Sequence, residues 1–347
     1  MTEGRDALIA QLRELGFSDR EIEEGAARGR LPLLLVDRVL QRDEVRWSAR
    51  EIAEQTGLSI GLLRRLWRAL GFADAEDDVV AYRDEDLEAA RITAQFHAAG
   101  LDDESLVLIS QVLGHGMARL ADTLREVVAD ALLEAGDTEH SAGTRLAQGA
   151  EHMVPMLSPM LSFVLQRHLA EQISSDVIYE SELATGRVDG AREMTVCFAD
   201  LVGFTRFGET VEPSELTGAG RRLTDAAVEA ARPPVRLVKM IGDAAMLVSP
   251  EPAPLLKAAL SLASSEAGLP VRVGVASGVA ITQAGDWLGA PVNLASRVTG
   301  AARAGTVLAT RSVRDAAREG FAWSSAGTRR LKGIREPVRL YRVRPAP

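Results

Sequence analysis

Cysteine and long apolar runs are scarce in this chain of 347 residues. Cys197 is its only cysteine, which excludes an intrachain disulfide and a zinc site built from cysteines. No uninterrupted apolar run approaches the ~20 residues that a membrane-spanning helix needs. The first residues also lack the basic-then-apolar order of a secretory signal. We therefore expect a protein of the reducing cytoplasm that has no membrane span.

Positive charge is limited as well, because the formal net charge is −9. An acidic total opposes bulk attraction to nucleic acid or anionic lipid, although it leaves room for a local basic patch. Lysine is rarer still, since arginine supplies nearly all of the 40 basic residues. The lysines are therefore of interest, and they are Lys239, Lys257 and Lys332. With 46% hydrophobic and 26% charged residues, the composition is that of a globular protein with room for two domains.

The two halves differ in their hydrophobic period. Residues 1–180 predict an all-helical domain, with helices over about 85–98, 103–135 and 141–152 and a linker helix over about 160–185. Residues 186–347 predict short strands and helices in the order β-α-β-β-α-β, which is the ferredoxin-like plan, with further elements after it. The expected fold class is therefore α+β, with a domain boundary near 180–190.

Two aspartates in the second half are expected at strand ends. Asp200 follows the apolar run 196–199, and Asp243 lies in the turn of a predicted hairpin over 235–248. The first strand and this hairpin are neighbours in a ferredoxin-like sheet, so the two carboxylates would be close, which is unfavourable unless a cation lies between them. Oxygen ligands of this kind suit Mg²⁺ or Mn²⁺. The alternative is that both are ordinary turn residues.

The segment after Asp200 adds a second chemical feature. Gly203 precedes the start of a short helix at Phe204 and Thr205. Free backbone N–H groups at such a turn form a natural phosphate cradle, although one glycine after a strand is more often only a turn.

Three separated segments together resemble the catalytic domain of class III nucleotidyl cyclases. They read FADLVGFT at 198–205, KMIGDA at 239–244 and GDWLGAPVNLASR at 285–297. The later segment LKGI at 331–334 is similar to the late hairpin of that family. The match runs in family order over about residues 190–345. Three motifs with compatible spacing are far more specific than any one of them.

The resemblance implies an adenylyl cyclase that converts ATP to 3′,5′-cyclic AMP and pyrophosphate. The metal-binding set that it implies holds two Mg²⁺ or Mn²⁺ ions and comprises Asp200, Leu201 and Asp243. One metal would make the ribose 3′-hydroxyl easier to deprotonate, and the other would bind the triphosphate. The phosphate cradle would be formed by Gly203, Phe204 and Thr205.

The resemblance also assigns the residues that read the substrate. Lys239 and Asp286 would recognise adenine, and Asn293 would orient the ribose. Arg297 would stabilise the charge that grows on the α-phosphate, and Lys332 would reach the terminal phosphates. In this family the metal aspartates come from one subunit and the other groups from its partner, which implies a head-to-tail homodimer. A catalytically inactive cyclase that serves only as a scaffold is the alternative.

The first half resembles, more loosely, the regulatory domain of pH-responsive actinobacterial adenylyl cyclases. This implies a domain that holds the catalytic dimer off or releases it, with pH or a lipid as the signal. All five histidines lie before residue 169, and imidazole titrates near pH 6.5, so we expect a proton sensor among them. They are His97, His115, His140, His152 and His168. The alternative is that a helical half holds them by composition alone.

Two further segments of the first half offer other functions. An apolar stretch over 153–165 contains Met153, Met156 and Met160, which suit either a pocket for a fatty acid or a core or dimer interface. Residues 48–72 resemble a helix-turn-helix whose second helix carries Arg64, Arg65 and Arg68. A DNA-binding transcription regulator with a degenerate cyclase domain is therefore a rival interpretation, against which the acidic net charge counts.

Overall fold

The computed structural model describes residues 2–40, 45–180 and 191–346. The chain divides into two compact units, Met1–Ala184 and Thr185–Pro347. Residues 181–185 of the predicted linker lie outside the described residues. Among the helices that the structure describes, none is long and apolar enough to cross a membrane.

The described part of the first unit is built from helices, as predicted. They are α1 (Thr2–Glu14), α2 (Asp19–Ala27), α3 (Leu33–Leu40), α4 (Ala49–Thr56), α5 (Ile60–Leu70), α6 (Asp84–Ala98), α7 (Asp103–Leu132) and α8 (Glu139–Glu180). The predicted helix over 141–152 was too short, because α8 continues through Pro155 and Pro159. Two prolines four residues apart usually predict a helix end, and here the helix passes both.

Side chains at the helix ends explain several of these boundaries. At the start of α4, Ser48 accepts a hydrogen bond from the backbone N–H of Glu51, and the Glu51 carboxylate accepts one from the backbone of Ser48. This capping box satisfies two N–H groups that the helix itself leaves unpaired. Gly57 ends α4 in the left-handed conformation with φ 74°, which glycine adopts without strain. Ser59 then caps α5, so the predicted two-helix segment is confirmed.

Two apolar clusters hold the first unit together. One joins α1, α2 and α3 through fully or nearly fully buried Leu8, Leu12 and Leu35. The other lies among α4, α5, α6 and α7, where the rings of Trp67 and Tyr82 stack with centroids 4.0 Å apart. Burying such side chains is the main favourable contribution to folding.

The second unit is a mixed sheet covered by helices on both faces. Its strands are β1 (Ala191–Leu201), β2 (Arg236–Ile241), β3 (Ala244–Ser249), β4 (Val271–Gln283), β5 (Asp286–Leu288), β6 (Val307–Thr310), β7 (Phe321–Arg329) and β8 (Val338–Pro345). Its helices are α9 (Phe204–Gly208), α10 (Pro213–Ala230), α11 (Pro252–Ala263), α12 (Ala290–Ala301) and α13 (Arg311–Ala316).

The strand order is β2-β3-β1-β4-β6-β8-β7, and β5 pairs with β4. The first four of these strands, together with α10 and α11, form the ferredoxin-like βαββαβ unit. The predicted fold class is therefore confirmed. One detail differs, because β1 extends through Asp200, which pairs with Ala244 on one side and Arg272 on the other.

The alternation of side chains along β1 decides what each face of the sheet holds. Cys197, Ala199 and Leu201 join the buried cluster under α10 and α11. Val196 and Phe198 face the opposite cluster, which includes residues of α12. Asp200 continues this second series, because successive side chains of a strand point to opposite faces. The sheet therefore presents Asp200 on the same face as α12.

Candidate active site

The structure brings Asp200 and Asp243 together at one end of the sheet. Asp200 is the penultimate residue of β1, and Asp243 lies in the turn between β2 and β3. The backbone N–H of Leu201 donates to the carbonyl oxygen of Asp243 at 3.1 Å, which ties the turn to the strand. Burial raises the pKa of the Asp200 carboxyl, contact with the Arg272 guanidinium lowers it, and the nearby Asp243 charge raises it. The two aspartates are thus held side by side, and the charge of Asp243 opposes that of Asp200.

These carboxylates fit a divalent cation by their chemistry. Their oxygens are hard donors of the kind that Mg²⁺ and Mn²⁺ prefer, and a cation would relieve the repulsion between them. Among the described residues there is no group of three or more His, Cys, Asp or Glu side chains able to hold a metal. The candidate ligands are therefore this aspartate pair with backbone oxygens such as that of Leu201, and the rest of a coordination shell would come from substrate oxygens and water.

Arg272 is a member of this site that sequence reasoning missed. It lies on β4 directly opposite Asp200 in the β1–β4 register. Its Nε and Nη2 atoms both contact Oδ2 of Asp200, at 2.7 Å and 2.5 Å. The sequence signal is an arginine between the apolar residues Val271 and Val273, but its partner lies 72 residues away. Only the register between the strands identifies the pair.

The glycine turn after Asp200 is formed as predicted. Gly203 has φ 82°, a left-handed conformation that suits glycine, and it precedes α9. Phe204 is partly buried against the main core, whereas Thr205 is exposed. Phe204 thus anchors the turn, and the backbone and Thr205 remain accessible beside the aspartate pair.

Lys239 and Asp286 meet although 47 residues separate them in the chain. The Lys239 Nζ atom donates to Oδ2 of Asp286, and Oδ1 of Asp286 accepts from the backbone N–H of Trp287 at 2.8 Å. Asp286 begins β5, which pairs with the end of β4, and Trp287 is buried and fixes this short strand. Both partners are about one-third exposed. Both side chains of this pair are therefore partly open to solvent.

Asn293 and Arg297 lie one helical turn apart on α12, and both are exposed. The inner face of α12 packs against β4, where Gly274 leaves space for the helix backbone. The Thr299 hydroxyl also donates to the carbonyl oxygens of Ala295 and Phe198. Since the inner face is held to the sheet, Asn293 and Arg297 project from the outer side of the helix.

Lys332 is exposed in the loop between β7 and β8. The register places the start of β8 toward the opposite end of the sheet from Asp200, whereas Leu331 of the loop shares a buried cluster with Val298 and Leu308. The pairs of residues in adjacent strands show where β8 starts. Arg272 of β4 lies opposite Asp200, Val275 further along β4 pairs with Ala309 of β6, and the next residue of β6, Thr310, pairs with Leu340 of β8. The start of β8 is therefore about six residues, or roughly 20 Å, further along the strand direction.

The five histidines of the first unit differ in their surroundings. His97 Nε2 lies 3.2 Å from Oδ1 of Asp103, which joins the end of α6 to the start of α7. His140 Nε2 lies 3.0 Å from the Gln11 side-chain oxygen, which joins α8 to α1. The other three are exposed side chains of α7 and α8, namely His115, His152 and His168. Two of the five therefore bridge pairs of helices.

The methionine-rich stretch is largely exposed along α8. Met156 and Met160 are 62% and 61% exposed on α8, and Met153 is half-buried. A cavity of about 660 Å³ does exist in the unit, but it is lined by the α1–α3 region and includes none of the methionines. The predicted fatty-acid pocket at this stretch is therefore not supported.

The helix-turn-helix arginines are engaged within the protein. Arg64 Nη2 lies 2.9 Å from Oδ1 of Asp77, and Arg68 Nη2 lies 2.7 Å from Oδ2 of Asp74. Arg65 contacts Glu104 of α7 at 2.6 Å. Since acidic neighbours neutralise all three guanidinium groups, they are poorly placed to bind DNA phosphates. The DNA-binding alternative is not supported.

Comparison with known protein families gives two matches that divide the chain. A family described as adenylate cyclase regulatory domain matches residues 2–173. A family described as adenylate and guanylate cyclase catalytic domain matches residues 187–345.

Individual relatives extend over nearly the whole chain. The sequence is 42% identical to the pH-sensitive adenylate cyclase MT1302 of Mycobacterium tuberculosis, over 98% of this chain and 88% of the relative. It is 32% identical to an adenylate cyclase of Streptomyces coelicolor, over 82% of this chain and 75% of the relative. Among solved structures, the adenylyl cyclase CyaB of P. aeruginosa aligns with 45% of this chain and 96% of its own, at 20% identity and a TM-score of 0.41.

Proposed function

The chain belongs to the class III adenylate cyclases that carry an adenylate cyclase regulatory domain, and from this premise we propose how its residues form cyclic AMP and pyrophosphate from ATP. Residues 186–347 form the catalytic domain, and residues 1–180 form the regulatory domain, whose described part ends with α8. The contact between Lys239 and Asp286 is the observation that carries the assignment of substrate. It brings together two side chains from distant motifs, one a donor and one an acceptor, as recognition of a nucleotide base requires.

The aspartate pair provides the metal-binding part of the reaction. Asp200 and Asp243, with the backbone of Leu201, would hold two Mg²⁺ or Mn²⁺ ions, which supply an activated 3′-hydroxyl and neutralise the triphosphate. Their closeness in the structure supports this role. The turn at Gly203 and Thr205 would donate backbone and hydroxyl hydrogen bonds to phosphate oxygens.

The remaining groups select and orient the substrate. Lys239 would donate to a ring nitrogen of adenine, while Asp286 would accept from its exocyclic amine. Asn293 would hold the ribose, and Arg297 would stabilise the negative charge that builds up on the α-phosphate in the transition state. Lys332 would bind the terminal phosphates.

The two sets of groups lie on different elements of the chain. Asp200 lies in the sheet, Arg297 projects outward from α12, and Lys332 is exposed in the loop between β7 and β8. A second copy in head-to-tail arrangement would bring the Arg297 and Lys332 of one chain to the aspartates of the other. Apolar side chains on the strands beside Lys239 and Asp286 are about half exposed, which suits such an interface, and they are Ile241, Val279, Ile281 and Leu288.

A complementation experiment tests both the roles and the sharing. D200N and R297A should each be inactive, because each removes one half of both sites in the homodimer. Mixed in equal amounts, half of the dimers are heterodimers with one intact site, so activity should return to about a quarter of the wild-type value.

The matched control is a mixture of D200N with D243N. Neither chain then carries an intact aspartate pair, so no activity should return. Cyclic AMP is measured from ATP with Mn²⁺ by chromatography, with GTP as the comparison substrate. Equal activity in both mixtures, or none in the first, would contradict sites shared in this way.

The regulatory domain is proposed to make the enzyme respond to pH, in line with the name of the relative from Mycobacterium tuberculosis. His97 and His140 are the best candidates among the five histidines, because each contacts a neighbouring helix. Protonation would strengthen the contact of His97 with Asp103 and alter that of His140 with Gln11.

The test compares the pH profile of cyclic AMP production between pH 5.5 and 8.5 for full-length variants. Replacing all five histidines by Gln should flatten the rise in activity that we expect toward acid pH. H97Q/H140Q should account for most of this change, and the triple variant of the exposed histidines should resemble the wild type. An unchanged profile in the fivefold variant would refute histidine sensing.

A further inference from the structure

Arg272 forms an ion pair inside the aspartate site. Both of its contacting nitrogens, Nε and Nη2, converge on the single oxygen Oδ2 of Asp200. The Asp200 and Arg272 side chains are only 18% and 32% exposed. An ion pair in such a setting is stronger than one on the surface, because water screens it less.

The pair has a specific electrostatic consequence. Asp200 is held beside Asp243, since the backbone N–H of Leu201 donates to the Asp243 carbonyl oxygen, and two carboxylates this close repel each other. Arg272 offsets that unfavourable interaction. In the absence of another cation, the two carboxylates and the guanidinium together carry a formal charge of −1 instead of −2.

We propose that Arg272 is a built-in counterion, which positions the Asp200 carboxylate and which a divalent cation must displace from Oδ2 in order to use both carboxylate oxygens. This rests on the proposed function only in taking Asp200 and Asp243 as the metal-binding pair. Arg272 keeps the site folded without metal, and it lowers the affinity of the site for metal until substrate phosphates add their own ligands.

The first measurement concerns the metal-free protein. In EDTA, full-length R272Q should unfold at a lower temperature than the wild type, because Asp200 and Asp243 then lack their counterion. The same replacement in a D200N background should lower the unfolding temperature much less, since the charge that Arg272 neutralises is gone. R221Q removes one positive charge from an exposed position on α10 and is the matched control.

The second measurement is Mn²⁺ binding to the full-length protein without nucleotide, followed by electron paramagnetic resonance of the free ion. R272Q should bind Mn²⁺ on the order of tenfold more tightly than the wild type, because the guanidinium then neither repels the ion nor competes with it for Oδ2 of Asp200. R272K, which keeps the charge, and R221Q should stay near the wild-type affinity.

Several results would overturn the inference. They are an R272Q affinity equal to or weaker than the wild type, a loss of stability of equal size in the wild-type and D200N backgrounds, or no Mn²⁺ binding to either protein. Cyclic AMP formation by the wild type is a separate measurement, and it tests the proposed function. An active wild type with an unchanged R272Q affinity would therefore reject the counterion and retain the cyclase assignment.

Discussion

Gly274 on β4 controls how closely α12 approaches the sheet, and its replacement by alanine is a sharp test of the site. A Cβ atom at this position would lie 2.2 Å from the backbone nitrogen of Thr299, 2.5 Å from the Thr299 hydroxyl and 2.7 Å from the carbonyl oxygen of Ala295. Two of these three atoms belong to the helix backbone, so a rotamer change cannot relieve the overlap. The helix must move away from the strand.

The size of the effect follows from this geometry. Forcing one methyl group into a packed site costs about 1–3 kcal/mol, and a backbone neighbour places G274A toward the upper part of that range. A loss of about 2 kcal/mol corresponds to roughly 30-fold faster exchange of amide hydrogens that open with the helix. We therefore expect α12 amides of full-length G274A to exchange at least tenfold faster, and cyclic AMP production to fall because Asn293 and Arg297 are displaced.

Gly300 provides a matched control on the same helix. A Cβ atom there would meet nothing within 4 Å, and alanine is about 0.5–1 kcal/mol more favourable than glycine inside a helix. G300A should therefore protect the α12 amides slightly. If G274A exchanges within twofold of the wild type, the close approach of α12 to β4 is not what holds the catalytic side chains in place.

Three further predictions address single side chains of the second unit. Burial raises the pKa of the Cys197 thiol to about 12, so the native protein should resist iodoacetamide at pH 8 and react only when urea unfolds it, as mass spectrometry would show. K239A and D286A should each raise KM for ATP about tenfold or more and weaken the preference for ATP over GTP in steady-state assays, since each leaves a polar group unpaired beside the base. K332Q should raise KM only about threefold, with pyrophosphate inhibition weakened in parallel, because its exposed ammonium makes a solvent-screened contact. A KM for K332Q equal to that of the wild type would remove Lys332 from the site.

The order of elements in the second unit was predictable because each strand is marked by its local sequence. A short apolar run ends at a glycine or an aspartate, and the spacing of apolar residues changes from that of a strand to that of a helix where a helix begins. The hairpin around Gly242 and Asp243 was therefore found, and so was the two-helix segment over 48–72. These features depend only on neighbouring residues.

Features that depend on contacts between distant residues were not predictable. The residues around Arg272 do not predict that its partner is Asp200, because the pairing follows from the register of β1 and β4. The apolar stretch around Met156 had the composition of a core, but the structure leaves it on an exposed length of α8. The arginines of the two-helix segment suggested phosphate contacts, and acidic residues from other parts of the unit neutralise them.

The catalytic groups could be named from the sequence but not assembled. Motif order assigns Asp200 and Arg297 to one reaction without stating which chain supplies each of them. The alternation of side chains along β1 presents Asp200 on the face that carries α12, whereas the packing of α12 on β4 leaves Arg297 on the outer side of the helix. We propose that the two groups of one site come from different chains, and the activity of the mixture of D200N with R297A measures that sharing directly.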